Sequence, residues 1–142
     1  MRVMVIGKAS KESEAGVLPD PKLFADMDKF NEELVKAGVM LACEGLHSSA
    51  KGKRVRFSGT SRTVIDGPFT ESKELIAGFQ LWQVRSMEEA VEWVRRCPNC
   101  HAGDYEIEIR QVMEAEDFGP SFTPERRERK ENLRAQYEQK KH

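Results

Sequence analysis

Hydrophobic and polar positions along the chain follow two periods, and each marks its own elements. RVMVIGKA is apolar on both faces around Val3 to Ile6, as an interior strand requires. Asp20 and Pro21 then supply an N-cap and a proline at the first helical position. Leu23, Met27, Phe30 and Leu34 recur at helical spacing behind them until Gly38 closes the helix. VMLACEGLH and KRVRFSG predict two more strands across the turn SSAKG, with Val55 and Phe57 on one face of the second. TVID is short and extended. FQLWQV alternates Phe79, Leu81 and Gln83 against Gln80, Trp82 and Val84, which is strand periodicity. Ser86 with Glu89 three residues on forms a capping box, and Met87, Ala90, Val91, Val94 and Cys97 line one face of a helix that Pro98 ends. In YEIEIRQV, Tyr105, Ile107 and Ile109 oppose Glu106, Glu108 and Arg110, the pattern of a half-buried antiparallel strand.

The order β-α-β-β-(β)-β-α-β predicts an α+β fold, an antiparallel sheet with two helices on one face, because a half-apolar sheet needs such a cover. Ferredoxin-like topology satisfies that order. The expected division is an α+β domain over 1–113 and a charged tail over 114–142, where only Leu133, Ala135 and Tyr137 are apolar after Phe122 and either a solvated helix or a disordered segment fits.

Composition narrows the partners. With 142 residues, the chain is long enough for one core. No apolar run approaches the roughly 20 residues of a membrane span, and the N-terminal residues read as a strand and not as an export signal, so a cytoplasmic protein is expected. The formal charge of −1 conceals an asymmetry, since Thr123 to His142 holds seven Lys/Arg against four Glu, leaving −4 on the remainder. An acidic body is a poor surface for phosphate, so a nucleic-acid partner is not expected. Three cysteines, an odd number, point to thiols and not to a disulfide frame.

Candidate chemistry gathers at VIDGPFTESKE. An acid ends a strand, Gly67 and Pro68 stiffen the exit, and charge follows at Glu71, Lys73 and Glu74. Asp66 here is either a turn acid whose carboxylate takes main-chain N–H groups or a functional carboxylate. CPNCH, Cys97 to His101, matches the forms of haem attachment and of redox dithiols. The helix C-terminus on which it sits disfavours a low-pKa thiol, so a buried Cys97 before a helix-ending Pro98 is the simpler reading. Arg54 and Arg56 flank Val55 on one strand and suit either an anionic ligand or a solvent-facing edge. Trp82 and Trp93 suit a core or a subunit interface. No nucleotide loop and no metal-ligand set is apparent, and no cofactor is expected.

VIDGPFTESKELIAGFQLWQV, with EGLHSSAKGKRVRFSG before it and SMEEAVEWVRRCP and YEIEIRQV after it, resembles the DGPF-type branch of the YCII-related proteins from Met1 to about Val112. The resemblance implies a ferredoxin-like dimeric α+β barrel in which two sheets pack face to face. It also implies a His–Asp acid/base pair in a cleft, which maps onto Asp66 and His47. Gly67 and Pro68 would shape the approach to a ligand, and Glu71, Lys73, Arg54 and Arg56 would supply contacts to it. A homodimer is therefore expected, its interface covering the second sheet face, which this reading assigns to Trp82 and Val84. Two functions remain open. One is cofactor-independent isomerase- or lyase-type proton transfer on a small metabolite. The other is a non-catalytic ligand-binding or regulatory module, linked to an extracytoplasmic-function sigma factor as many relatives are encoded.

Overall fold

In a computed structural model, residues 1–70, 74–99, 101 and 103–140 are described, and the chain divides into two units, Met1–Gln111 and Val112–His142. The first unit carries strands β1 (Arg2–Lys8), β2 (Met40–Gly45), β3 (Lys53–Ser58), β4 (Ser61–Asp66), β5 (Ile76–Gln83) and β6 (Ile107–Gln111). Its helices are α1 (Lys11–Glu14), α2 (Pro21–Lys36) and α3 (Met87–Arg95). Four strands make an antiparallel sheet in the order β2-β5-β1-β6, and β3 and β4 form a separate two-stranded hairpin. With the hairpin set aside, the main elements run β-α-β-β-α-β, as the periodicities predict.

Register decides which side of the sheet is covered. Val3 pairs with Trp82 and Val5 with Gln80, so these residues share a face. Phe30 and Leu34 of α2 and Ala90 of α3 pack on that face with Val3, Val5, Trp82 and Val84 into one buried cluster. Trp82 is 1% exposed, and its indole N–H donates to Gln80 Oε1 at 2.8 Å, so its polar atom enters the core satisfied. Trp82 and Val84 therefore lie on the helix-covered face and not on the second one. The second face carries Met4, Ile6, Phe79 and Leu81, all half-buried, since Met4 pairs with Leu81 and Ile6 with Phe79. Val91, expected on the inner stripe of α3, is exposed; Trp93 takes its place and meets Phe30 edge-on at 6.4 Å between ring centres.

Local sequence sets the ends of these elements. Asp20 accepts from the Lys22 N–H at the start of α2, and Ser86 accepts from the Glu89 N–H at the start of α3. Glu89 reaches back to the Arg85 N–H at 2.8 Å, one residue earlier than a standard capping box, and that bond holds its carboxyl below the usual range. α1 has no apolar stripe and is made by its cap alone: Ser10 and Ser13 exchange side-chain-to-main-chain hydrogen bonds across its first turn.

In the second unit, α4 (Pro124–Gln139) begins at Thr123, whose hydroxyl accepts from the Arg126 N–H. The tail is thus helical over that span. Phe118 and Phe122 stack at 5.2 Å beneath Lys130, while Leu133 and Tyr137 are exposed.

Candidate functional site

The Asp66-Gly67-Pro68-Phe69 corner is built as a clasp. β4 ends at Asp66, whose carboxylate pairs with Lys53 directly across the hairpin; both side chains are well exposed. Gly67 follows with its main chain against the turn Ser49–Lys51, where a Cβ would overlap the Ser49 carbonyl. The Gly67-Pro68 bond is cis. Ser49 then joins three segments: its N–H and hydroxyl both donate to the Glu14 carboxylate, at 3.1 and 2.6 Å, and its hydroxyl oxygen accepts from the Phe69 N–H at 3.0 Å. Arg54 stacks on the Phe69 ring at 3.8 Å. The motif residues thereby tie the base of the hairpin to α1.

The other candidates are placed as follows. His47 is exposed in the connection after β2, and no hydrogen bond or ion pair joins it to Asp66 among the described residues. Arg56 is exposed on β3 and pairs in register with Thr63. Glu71, Lys73 and Cys100 lie outside the described residues. Cys97 is half-buried, its sulfur 3.8 Å from Met27 Sδ, and among the described residues no group of three or more His, Cys, Asp or Glu could hold a metal ion.

A cavity the sequence reading did not single out lies under the helices. Gly45, Gly78 and Gly7 stand side by side on β2, β5 and β1, on the covered face, and leave its far end without side chains. Above them opens a space of about 380 Å³, walled by Phe24, Met27 and Phe30 of α2, Trp82, Val94 and Ile107. Each glycine serves differently. A Cβ at Gly78 would come within 2.9 Å of the Glu44 carbonyl, and one at Gly7 within 2.9 Å of the Tyr105 hydroxyl, but one at Gly45 would meet nothing within 4 Å. Tyr105 closes one side and stacks on His101 at 3.6 Å. Three strands each bearing a glycine near the same end was the available signal; it becomes a site only through the register.

The polar groups of the cavity are specific. Gln80 Nε2 donates to Asn31 Oδ1 at 3.1 Å while Gln80 Oε1 accepts from Trp82, so three side chains hold each other in place. Burial lowers the His101 pKa from its ordinary 6.5 against a weaker opposing pull from Glu12, which leaves the imidazole neutral at pH 7. Burial raises the Cys43 thiol, with Glu44 adding to the rise and a hydrogen bond to Gln80 opposing it, so Cys43 stays protonated and a poor nucleophile. A second space of about 580 Å³ runs past Val39, Gln83, Arg85, Glu89, Trp93 and Arg96. Its charged side chains each have a protein partner: Arg85 pairs with Glu89 at 3.1 Å, Glu92 with Arg95 at 3.6 Å, and Arg96 stacks on Trp93 at 3.9 Å.

An antiparallel sheet with helices on one side, a clasped DGPF corner and a hollow beneath the helices define an α+β protein with a built-in cavity. Residues 1–116 match the YCII-related domain, and the chain belongs to that family. It is also 30% identical over 90 residues to an uncharacterized protein of Rhizobium meliloti (strain 1021), covering 62% of this chain and 73% of that one. No helix among the described residues is long and apolar enough to cross a membrane.

Proposed function

We propose that this YCII-related protein is a ligand-binding module that holds a small metabolite between its sheet and its helices. The reading is carried by one contrast. The cavity over the glycine row is walled by apolar and aromatic side chains with a few fixed polar groups, the ordinary make-up of a small-molecule site. Asp66 and His47, by comparison, are both exposed, and the Asp66 carboxylate is engaged by Lys53. Proton transfer by that pair needs the imidazole within hydrogen-bond reach of the carboxylate or one water away. A regulatory binding role asks nothing of it.

The module works as a homodimer in this reading, with the second sheet faces of two copies meeting as a ferredoxin-like α+β barrel. Met4, Ile6, Phe79 and Leu81 form a flat apolar patch there, bordered by Glu108, which pairs with Lys8 at 3.1 Å and with Arg110 at 3.2 Å. An apolar centre with a charged border is the anatomy of a subunit interface.

A thermal-shift screen of small metabolites against the native protein, Gly45→Phe and Asp66→Asn tests the binding site. The expected hit stabilises the native protein and Asp66→Asn but not Gly45→Phe. A hit lost in Asp66→Asn and kept in Gly45→Phe would place the site at the DGPF corner and defeat this reading.

A further inference from the structure

We infer that the occupant of the cavity is an uncharged, planar ring compound bearing a hydrogen-bond acceptor, and that Asn31 donates the hydrogen bond that recognises it. This rests on the ligand-binding reading above and narrows it to a chemical class.

Shape comes first. Neighbouring strands lie about 4.8 Å apart, and the three glycines abreast make a strip of main chain. The Tyr105 hydroxyl caps that strip at Gly7 and the Glu44 carbonyl crowds it at Gly78, while the end at Gly45 stays open. Aromatic rings surround it: Phe24 and Phe30 from α2, Trp82 from β5, and the His101–Tyr105 stack. A flat floor between aromatic edges and faces fits a flat ring and wastes volume on a branched aliphatic molecule. A volume of about 380 Å³ sits near the lower end of ligand sites and suits one or two fused rings.

Charge comes second. The described lining contains no lysine and no arginine. His101 is neutral at pH 7 for the reason given above. The two carboxylates of the lining, Asp28 on α2 and Glu44 on β2, both stand at exposed positions where water screens them, so neither offers a buried counter-charge to a cation. An anion entering this space would give up its hydration and meet no cation, a cost that uncharged molecules avoid. The hydrogen-bond pattern comes third. Gln80 has its carbonyl oxygen on Trp82 and its nitrogen on Asn31 Oδ1, and this fixes which way Asn31 faces. Among the described residues, Asn31 Nδ2 donates to no protein acceptor, so the group offered to an occupant is a donor.

Coumarin and coumarin-3-carboxylate share one ring system and differ by a negative charge, and titration calorimetry at pH 7 compares them directly. Coumarin is expected to bind, with the carboxylate weaker by roughly tenfold or more, since nothing offsets the lost hydration of the anion. Asn31→Leu is expected to weaken coumarin by about five- to tenfold, the size of one neutral hydrogen bond. Gly45→Phe is expected to abolish the signal. Its Cβ meets nothing and strands favour aromatic residues, so an unchanged far-ultraviolet circular dichroism spectrum accompanies the loss. Equal or tighter binding of the carboxylate, or no binding of coumarin, overturns the chemical class. Binding indifferent to Asn31→Leu overturns the role of Asn31. These failures leave the cavity itself standing if the metabolite hit is still lost in Gly45→Phe; a coumarin signal that survives Gly45→Phe overturns the cavity as well.

Discussion

Gly67 and Asp66 are neighbours in one motif and answer to different forces. Gly67 is fixed by main-chain contact with Ser49, so Gly67→Ala is expected to destabilise the protein by about 1–3 kcal/mol or more through overpacking, read as a lower midpoint in urea. Asp66 is an exposed partner of an exposed lysine, so Asp66→Asn is expected to change stability by no more than about 1 kcal/mol. His101 gives a pH test. Its folded pKa lies below its unfolded value, so the unfolded chain binds the proton more readily. Stability is therefore full above 6.5 and falls as pH drops below that value towards the depressed folded one. Thermal melts from pH 7.5 to 5 should show this loss, and His101→Gln should remove that part of the slope.

The elements differ in how much holds them. β1 and β5 are interior strands with covered neighbours, whereas every residue of β3 and β4 is exposed, including Val55, Phe57 and Val64. A two-stranded ribbon is marginal alone, and this one is anchored at its base by Ser49, Gly67 and Phe69. Amide hydrogen exchange should thus be faster by orders of magnitude in β3 and β4 than in β1 and β5; equal protection would contradict an isolated hairpin. Legibility followed the same divide. Helices α2 and α3 and the sheet strands were readable because caps and apolar periods are local. α1 escaped because four residues held by Ser10 and Ser13 show no period. The covered side of β5 was misassigned because Phe79 and Leu81 alternate as convincingly as Trp82 and Val84, and only pairing with Val3 and Val5 separates them. The glycine floor was hidden for the same reason. Gly7, Gly45 and Gly78 are far apart in sequence and adjacent only through two registers.

At the scale of the molecule, one apolar face of the sheet is filled by helices, and the other carries the half-buried Met4, Ile6, Phe79 and Leu81. Phe79→Lys with Leu81→Glu should therefore convert the proposed homodimer to a folded monomer in sedimentation velocity, because charges in the centre of an apolar interface are left without compensation. A native protein that sediments as a monomer at micromolar concentration would remove the dimer from the proposal. Leu34→Ala acts on the opposite layer: Leu34 is fully buried, and its loss should cost about 2–5 kcal/mol without changing subunit number.

The bare strand end at Gly45 has a consequence for how such a molecule can change. Its neighbours Gly78 and Gly7 are locked, one by a carbonyl and the other by a phenol, but position 45 has open space above it. Alanine, valine or leucine there would act as a graded plug, shortening the hollow step by step while the scaffold around it stays put. Under the proposed binding role, a single codon would be enough to retune which molecules fit.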